Sequence, residues 1–319
     1  MEQIEEATIQ IDKKTTTGSR LALILIDNAL ELSIWEKINS KYSIDNEDYE
    51  EVISGKFRAQ LLKDYEYFNN KTNFLVSEGM ITQKEKEIYD TCHFFRNEVY
   101  HQNIIRELII NDLAKIYLKA CCNVIVKLFD SSFYIFDYMK PVPEILTKYE
   151  IVNSYGILKD DKIDKAVNTF FNTRVCSPLQ FSQTLALDIN KRIEKVREDI
   201  NYVEHYIEPA STNIEPASTN IEQASTNIEP ASTNIEPAST TPLTFEKEKS
   251  SLESFSRRAN QLKRKNDTSN ALTRYYNIDK DLIPIEFSTN FISDMLSREM
   301  EFRYEQYRDE RYLEMNDLQ

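Results

Sequence analysis

Beginning at residue 207 the chain reads IEPASTN, IEPASTN, IEQASTN, IEPASTN, IEPASTT, five units of seven residues ending at Thr241. A period of seven invites a coiled coil, but Pro209, Pro216, Pro230 and Pro237 would each remove a helical hydrogen bond. One isoleucine per unit also leaves no paired seam of core positions. Such a stretch is expected as a flexible, partly extended linker that tethers what lies on either side. It divides the chain into residues 1–206 and 242–319.

Before the linker the pattern is helical. Only four glycines stand among 319 residues, against 18 Tyr and 16 Phe, which disfavours hairpin-rich folds and suits helices joined by polar loops. Ser19 is a plausible cap for a helix over 19–42 with Leu21, Ile24, Leu25, Leu32 and Trp35 at helical steps. A second long helix is expected over 46–77, with Phe57, Leu61, Leu62, Tyr65 and Phe68 on one side, ending at Gly79. Thr82-Gln-Lys-Glu85 has the form of a capping box and opens a third helix through Ile88, Cys92, Phe95 and Val99. After a break at Gln102-Asn103 an apolar helix is expected over 107–137, stopped by Pro141 and Pro143. Further helical signals cover 144–150, 160–172 and 180–205, then 246–265 and 288–315. No stretch alternates as a strand does, so the fold class is all-α. The organisation read from this pattern is a helical bundle over 1–140, a helical extension packed on it over 141–206, the linker over 207–241, and a C-terminal helical segment over 242–319.

Charge and cysteine content narrow the chemistry. The net charge of −14 argues against coating nucleic acid by charge alone, although a local basic cleft would still suit a nucleic-acid enzyme. The acidity is spread out. Residues 1–206 carry 26 basic and 33 acidic side chains, and 242–319 carry 13 and 15. Cys92, Cys121, Cys122 and Cys176 form no Cys-x-x-Cys pair, so no zinc set is read and no metal or other cofactor is expected. The N-terminus has no signal-peptide pattern, and LALILI at 21–26 is far too short to span a bilayer. A soluble, cytoplasmic protein with reduced thiols and no membrane contact is expected.

One short segment carries chemistry. HFFRNEVYHQN, residues 93–103, holds two of the three histidines. On a helix Asn97 and His101 lie four apart and share a face, with Arg96 one step to the side, while Phe95 and Val99 point to the core. A histidine can move a proton near neutral pH. An arginine offers a planar fork for phosphate and for charge building on a phosphorane. No Walker loop, zinc set or serine–histidine arrangement suggests other chemistry.

Arg96-Asn97-Glu98-Val99-Tyr100-His101 resembles the R-N-x-x-x-H signature of the HEPN superfamily, found in RNA-cleaving toxins, abortive-infection proteins and CRISPR-associated nucleases. The helix order around it is similar over roughly residues 15–140. The resemblance implies a four- to five-helix core that dimerises and brings two motifs into one cleft. It implies a metal-independent endoribonuclease, a toxin or antiviral effector. His101 would be general base or acid on the ribose 2′-hydroxyl, Arg96 would hold the scissile phosphate, and Asn97 would orient one or the other. Products would be a 2′,3′-cyclic phosphate and a 5′-hydroxyl. Implied partners are an RNA substrate (tRNA or mRNA), a second copy of the chain, and an antitoxin or regulatory protein. Some toxins of the family carry a tyrosine two residues after the histidine; here that position is Asn103.

Plainer readings stand beside these. Arg96 and His101 can be a helix-end salt link. Asp27 and Glu31, four apart on the first long helix, either face the motif and pair with Arg96 or form a solvated acidic pair. His93 lies outside the signature and reads as structural or surface. Arg257, Arg258, Lys263, Arg264 and Lys265 are either a solvated face or an RNA contact. The alternative function is a non-catalytic helical module of the same fold that binds RNA or protein, and a purely structural adaptor held through 242–319 is a third.

Overall fold

The computed structural model describes residues 1–45, 56–102, 106–129, 144–151, 160–172, 174, 176–212 and 245–316. Among these residues all regular structure is helical and no strand occurs. Among them, too, no helix is long and apolar enough to cross a membrane. The helices are α1 (Glu2–Asp12), α2 (Thr16–Asp45), α3 (Lys56–Asp64), α4 (Phe68–Ser77), α5 (Gln83–Asn97), α6 (Ile110–Phe129), α7 (Glu144–Lys148), α8 (Asp160–Phe171), α9 (Pro178–Thr212), α10 (Glu246–Leu262) and α11 (Thr268–Asn316). A π-helical turn, Glu98–Gln102, continues α5.

Two compact units share the chain: residues 1–189 with 258–278, and residues 190–257 with 279–319. The first unit is organised around α2, which packs against α1 and α6 and also touches α4 and α5. The buried stripe of α2 is Leu23, Ile26, Leu30, Ile34 and Ile38. The expected face was different: Leu21 and Leu32 are exposed. LALILI is apolar all round, so periodicity alone does not set its phase; neighbouring helices do. With this phase Asp27 falls on the covered side, at 0% exposure.

Several boundaries also differ from those read in the sequence. α1 buries Ile4, Ala7 and Ile11 although its remaining residues are mostly polar. The cap of α2 is Thr15, whose Oγ1 accepts from the Gly18 amide at 3.0 Å, and Ser19 lies inside the helix. Close approach explains Gly18, because a Cβ there would meet the Gln10 carbonyl oxygen at 2.6 Å. The expected 46–77 helix is two helices, since Tyr67 adopts an extended backbone before α4; residues 46–55 lie outside the described residues. Gly79, at φ 68°, ends the α4 turn. Thr82 and Glu85 form the reciprocal capping box of α5, with the Glu85 carboxylate accepting from the Thr82 amide at 2.7 Å. α6 starts three residues later than expected, and 130–143, with both prolines, lie outside the described residues.

α9 is helical to Thr212, so its last turn takes in the start of the repeats; residues 213–241 lie outside the described residues. The last helix begins at Thr268, twenty residues before the expected start, and runs past Pro284. Its early part carries Ala271, Leu272, Tyr275 and Ile278 at helical spacing, all buried. In the first unit this part meets α5: Tyr276 packs edge-on against Phe94 at 4.7 Å and Tyr275 lies 5.8 Å from Phe95. Ser269 donates to Glu87 at 3.1 Å, and Tyr275 donates to Asp188 at 2.6 Å.

In the second unit Ile193, Val196, Ile200 and Val203 are the buried stripe of α9. Arg192 bonds Asp279 and grips both oxygens of Glu286, at 2.7 and 2.6 Å. Phe287, Phe291, Met295 and Phe302 on α11 are exposed.

Candidate active site

The motif helix starts at a firm cap and is anchored by a buried face: Tyr89, Cys92, Phe95 and Val99 are 3% exposed or less. Tyr89 donates to the Ala120 carbonyl at 2.9 Å, tying α5 to α6. Burial pushes the Tyr89 hydroxyl and the Cys92 and Cys121 thiols well above their ordinary pKa, so none is a proton carrier near neutrality.

Asp27 is the centre of the cluster. Its Oδ2 accepts from Arg96 Nε at 2.6 Å and from Arg96 Nη2, and its Oδ1 accepts from the Tyr117 hydroxyl. His93 Nδ1 lies 3.0 and 3.2 Å from the two oxygens. Burial alone drives the Asp27 carboxyl upward, but the His93 hydrogen bond and charge, the Tyr117 hydroxyl and the Arg96 charge hold it below the usual carboxylate range. It is therefore an anion in a dry setting, and everything facing it must donate. Tyr117 is fixed as a donor, its own pKa pushed well up by burial and by Asp27.

Arg96 Nη1 donates to Asn97 Oδ1 at 2.7 Å. A guanidinium has five N–H groups. Nε, one Nη2 hydrogen and one Nη1 hydrogen are committed, which leaves one on each terminal nitrogen, enough for a two-point grip on a phosphate. Glu31 stands further out, its Oε1 3.9 Å from both Arg96 Nη2 and His93 Nδ1, and it pairs with Lys71 at 3.5 Å. A cleft of about 440 Å³ opens beside Glu31, lined in part by Asn28, Trp35, Tyr65 and Lys71.

The π turn carries His101 to the surface. Glu98, its first residue, is buried in an ion pair with Arg106 at 2.7 Å, and the Arg106 guanidinium lies 4.9 Å from the centre of the Phe95 ring. Arg20 donates to the Val99 carbonyl at 3.3 Å. These contacts hold a turn wider than an α-helix, and π insertions recur at functional sites. His101 is exposed and its ring meets Tyr100 edge-on at 4.8 Å.

The structure thus places Arg96 between Asp27 and Asn97, bonded to both, with Glu31 at the rim. Among the described residues no hydrogen bond joins His101 to Arg96 or Asn97. The basic residues lie elsewhere on the chain: Arg257, Lys263 and Arg264 are exposed, and Arg258 and Lys265 are half-buried. Two members of the cluster, His93 and Tyr117, were not read from the sequence as site residues. His93 precedes Arg96 by three and Asn97 by four, a same-face spacing that the signature does not use. Tyr117 gave no signal, because its partner is 90 residues away.

Asp27, Glu31 and His93 also place ligand atoms within 4.8 Å of one another. The cation that such a trio would attract is already present as Arg96, which occupies the Asp27 carboxylate. No family model matches the chain, and no match was found among curated proteins or solved structures. The chemistry of the site therefore rests on its residues.

Proposed function

We propose that the first unit is a metal-independent endoribonuclease of HEPN type, acting as a toxin or antiviral effector. The observation that supports it best is the arginine held ready. A buried carboxylate fixes Arg96, Asn97 braces it, and two N–H groups remain for a phosphate. His101 stands one turn further on a π segment, exposed to substrate. In this reading Arg96 neutralises the charge that builds on phosphorus, and Asn97 fixes the guanidinium. The 2′-oxygen attacks the phosphorus, the bond to the 5′-oxygen breaks, and His101 serves the proton transfers. The chain acts as a homodimer on tRNA or mRNA.

The test uses the full-length chain with mixed tRNA and mRNA in EDTA, beside His101→Ala. Cleavage by the parent alone, with 2′,3′-cyclic phosphate ends, is expected. Equal cleavage by both would place the activity elsewhere, and no cleavage by either would remove it.

A second reading, a non-catalytic module that binds RNA or protein, is favoured by the same ion pair, since Arg96 already has a carboxylate partner. It predicts retained RNA or protein binding by the His101→Ala chain and no product from either.

A further inference from the structure

We propose that His93 is a second catalytic histidine, taking the proton of the ribose 2′-hydroxyl on Nε2 while His101 gives a proton to the departing 5′-oxygen. The proposal rests on the ribonuclease reading and assigns a residue outside the signature.

The Asp27 carboxylate is fully buried and can only accept, so the proton between it and His93 sits on Nδ1. That fixes the tautomer in which Nε2 carries the lone pair, as a carboxylate does for a base in acyl-transfer triads. One face of the ring stacks on Phe68 at 3.9 Å with the planes 2° apart, which restrains it. Its side chain is 18% exposed, and among the described residues Nε2 has no hydrogen-bond partner. An imidazole oriented on one nitrogen, clamped on one face and open on the other nitrogen is built to receive a proton.

The π turn supplies the second half. In a regular helix, eight residues at about 100° each would put His101 roughly 80° round from His93. The wider turn at Glu98–Gln102 advances less per residue and carries His101 back toward the face of His93 and Asn97. The phosphate site on Arg96 lies between them along the helix. Other charged groups facing His93 are Glu31 at 3.9 Å, itself paired to Lys71 of α4, and Arg96, which shares Asp27; Tyr117 of α6 acts through Asp27.

The step balances within one chain. The 2′-oxygen forms its bond to phosphorus as its proton passes to Nε2 of His93. The bond from phosphorus to the 5′-oxygen breaks, and that electron pair takes the proton of the His101 imidazolium. Pairing of two chains would then shape the groove rather than supply the second histidine.

The deciding variant is His93→Asn. Its amide can still donate to Asp27 but has no titratable nitrogen. In the tRNA cleavage assay, kcat should fall on the order of 100-fold or more, with KM and melting temperature held. The acidic limb of the pH–rate profile should disappear. Added imidazole should restore cleavage saturably to His93→Ala, a result that decides the matter even if His93→Asn melts early. Cleavage by His93→Asn within a few-fold of the parent, with His101→Ala inactive, overturns this proposal and leaves the ribonuclease reading standing. No cleavage by the parent overturns both.

Discussion

Replacing Asp27 by Asn tests the network at its centre. The substitution keeps size and shape but removes a charge from a fully buried position. Tyr117 can turn its hydroxyl to accept from the new amide, and His93 can offer Nδ1 as an acceptor, so two of the three partners adapt. Arg96 can keep both of its bonds, since they go to the one position that the amide oxygen can take, but it loses the charge of its partner. Its remaining anion is Glu31 at 3.9 Å, which is partly exposed. Breaking a buried pair from one side costs about 3–5 kcal/mol, and the residual help from Glu31 places this case near the lower end. Trp35, the single tryptophan, lies on α2 with Asp27 and reports unfolding of the first unit by fluorescence in urea. The pH dependence has a definite sign. Asp27 titrates lower in the folded chain than in the unfolded one. Its contribution is therefore complete above the unfolded value of about 4 and is lost as the pH falls through the folded value. The gap between parent and Asp27→Asn should be full near neutrality and shrink in acid. A gap below about 1 kcal/mol at neutral pH, or one unchanged in acid, would refute a charge-based role.

Two further perturbations probe the frame around the site. Glu98→Ala should destabilise by about 3–5 kcal/mol by removing the buried carboxylate that pairs with Arg106 at 2.7 Å, whereas Glu98→Leu with Arg106→Met should return to within about 1 kcal/mol of the parent; urea unfolding of the singles and the double checks the coupling. Gly18→Ala drives a Cβ into the Gln10 carbonyl and should cost about 1–3 kcal/mol, with faster hydrogen exchange of α1 amides as the local readout.

Local signals were readable and distant ones were not. The capping box at Thr82 and Glu85 and the turn at Gly79 depend on a few consecutive residues, and they stand in the structure as the sequence suggests. The break at Tyr67 was hidden because apolar residues continue at helical spacing on both sides of it. α1 was hidden for the opposite reason, with only a narrow apolar stripe among glutamates and glutamines. The π turn depends on Glu98 reaching Arg106, eight residues on, and on Arg20 reaching Val99 from 79 residues away. No window of local sequence contains both causes. The place of His93 follows from the phase of α2, and LALILI leaves that phase open until α1 and α6 pack against it.

The same cluster bears on how a chain of net charge −14 could handle RNA. Around the proposed phosphate position the charges nearly cancel: Asp27 and Glu31 against Arg96 and Lys71. Each proton on a histidine then makes the neighbourhood positive. At physiological salt the field of an exposed charge fades over about 8 Å, so the acidic side chains spread along the chain weigh little at the site. Affinity must come from nearby contacts. Strong selectivity by charge alone is unavailable to such a chain. Under the proposed chemistry, discrimination among RNAs falls to contacts close to the scissile bond, where Trp35 and Tyr65 are among the residues that line the cleft beside Glu31.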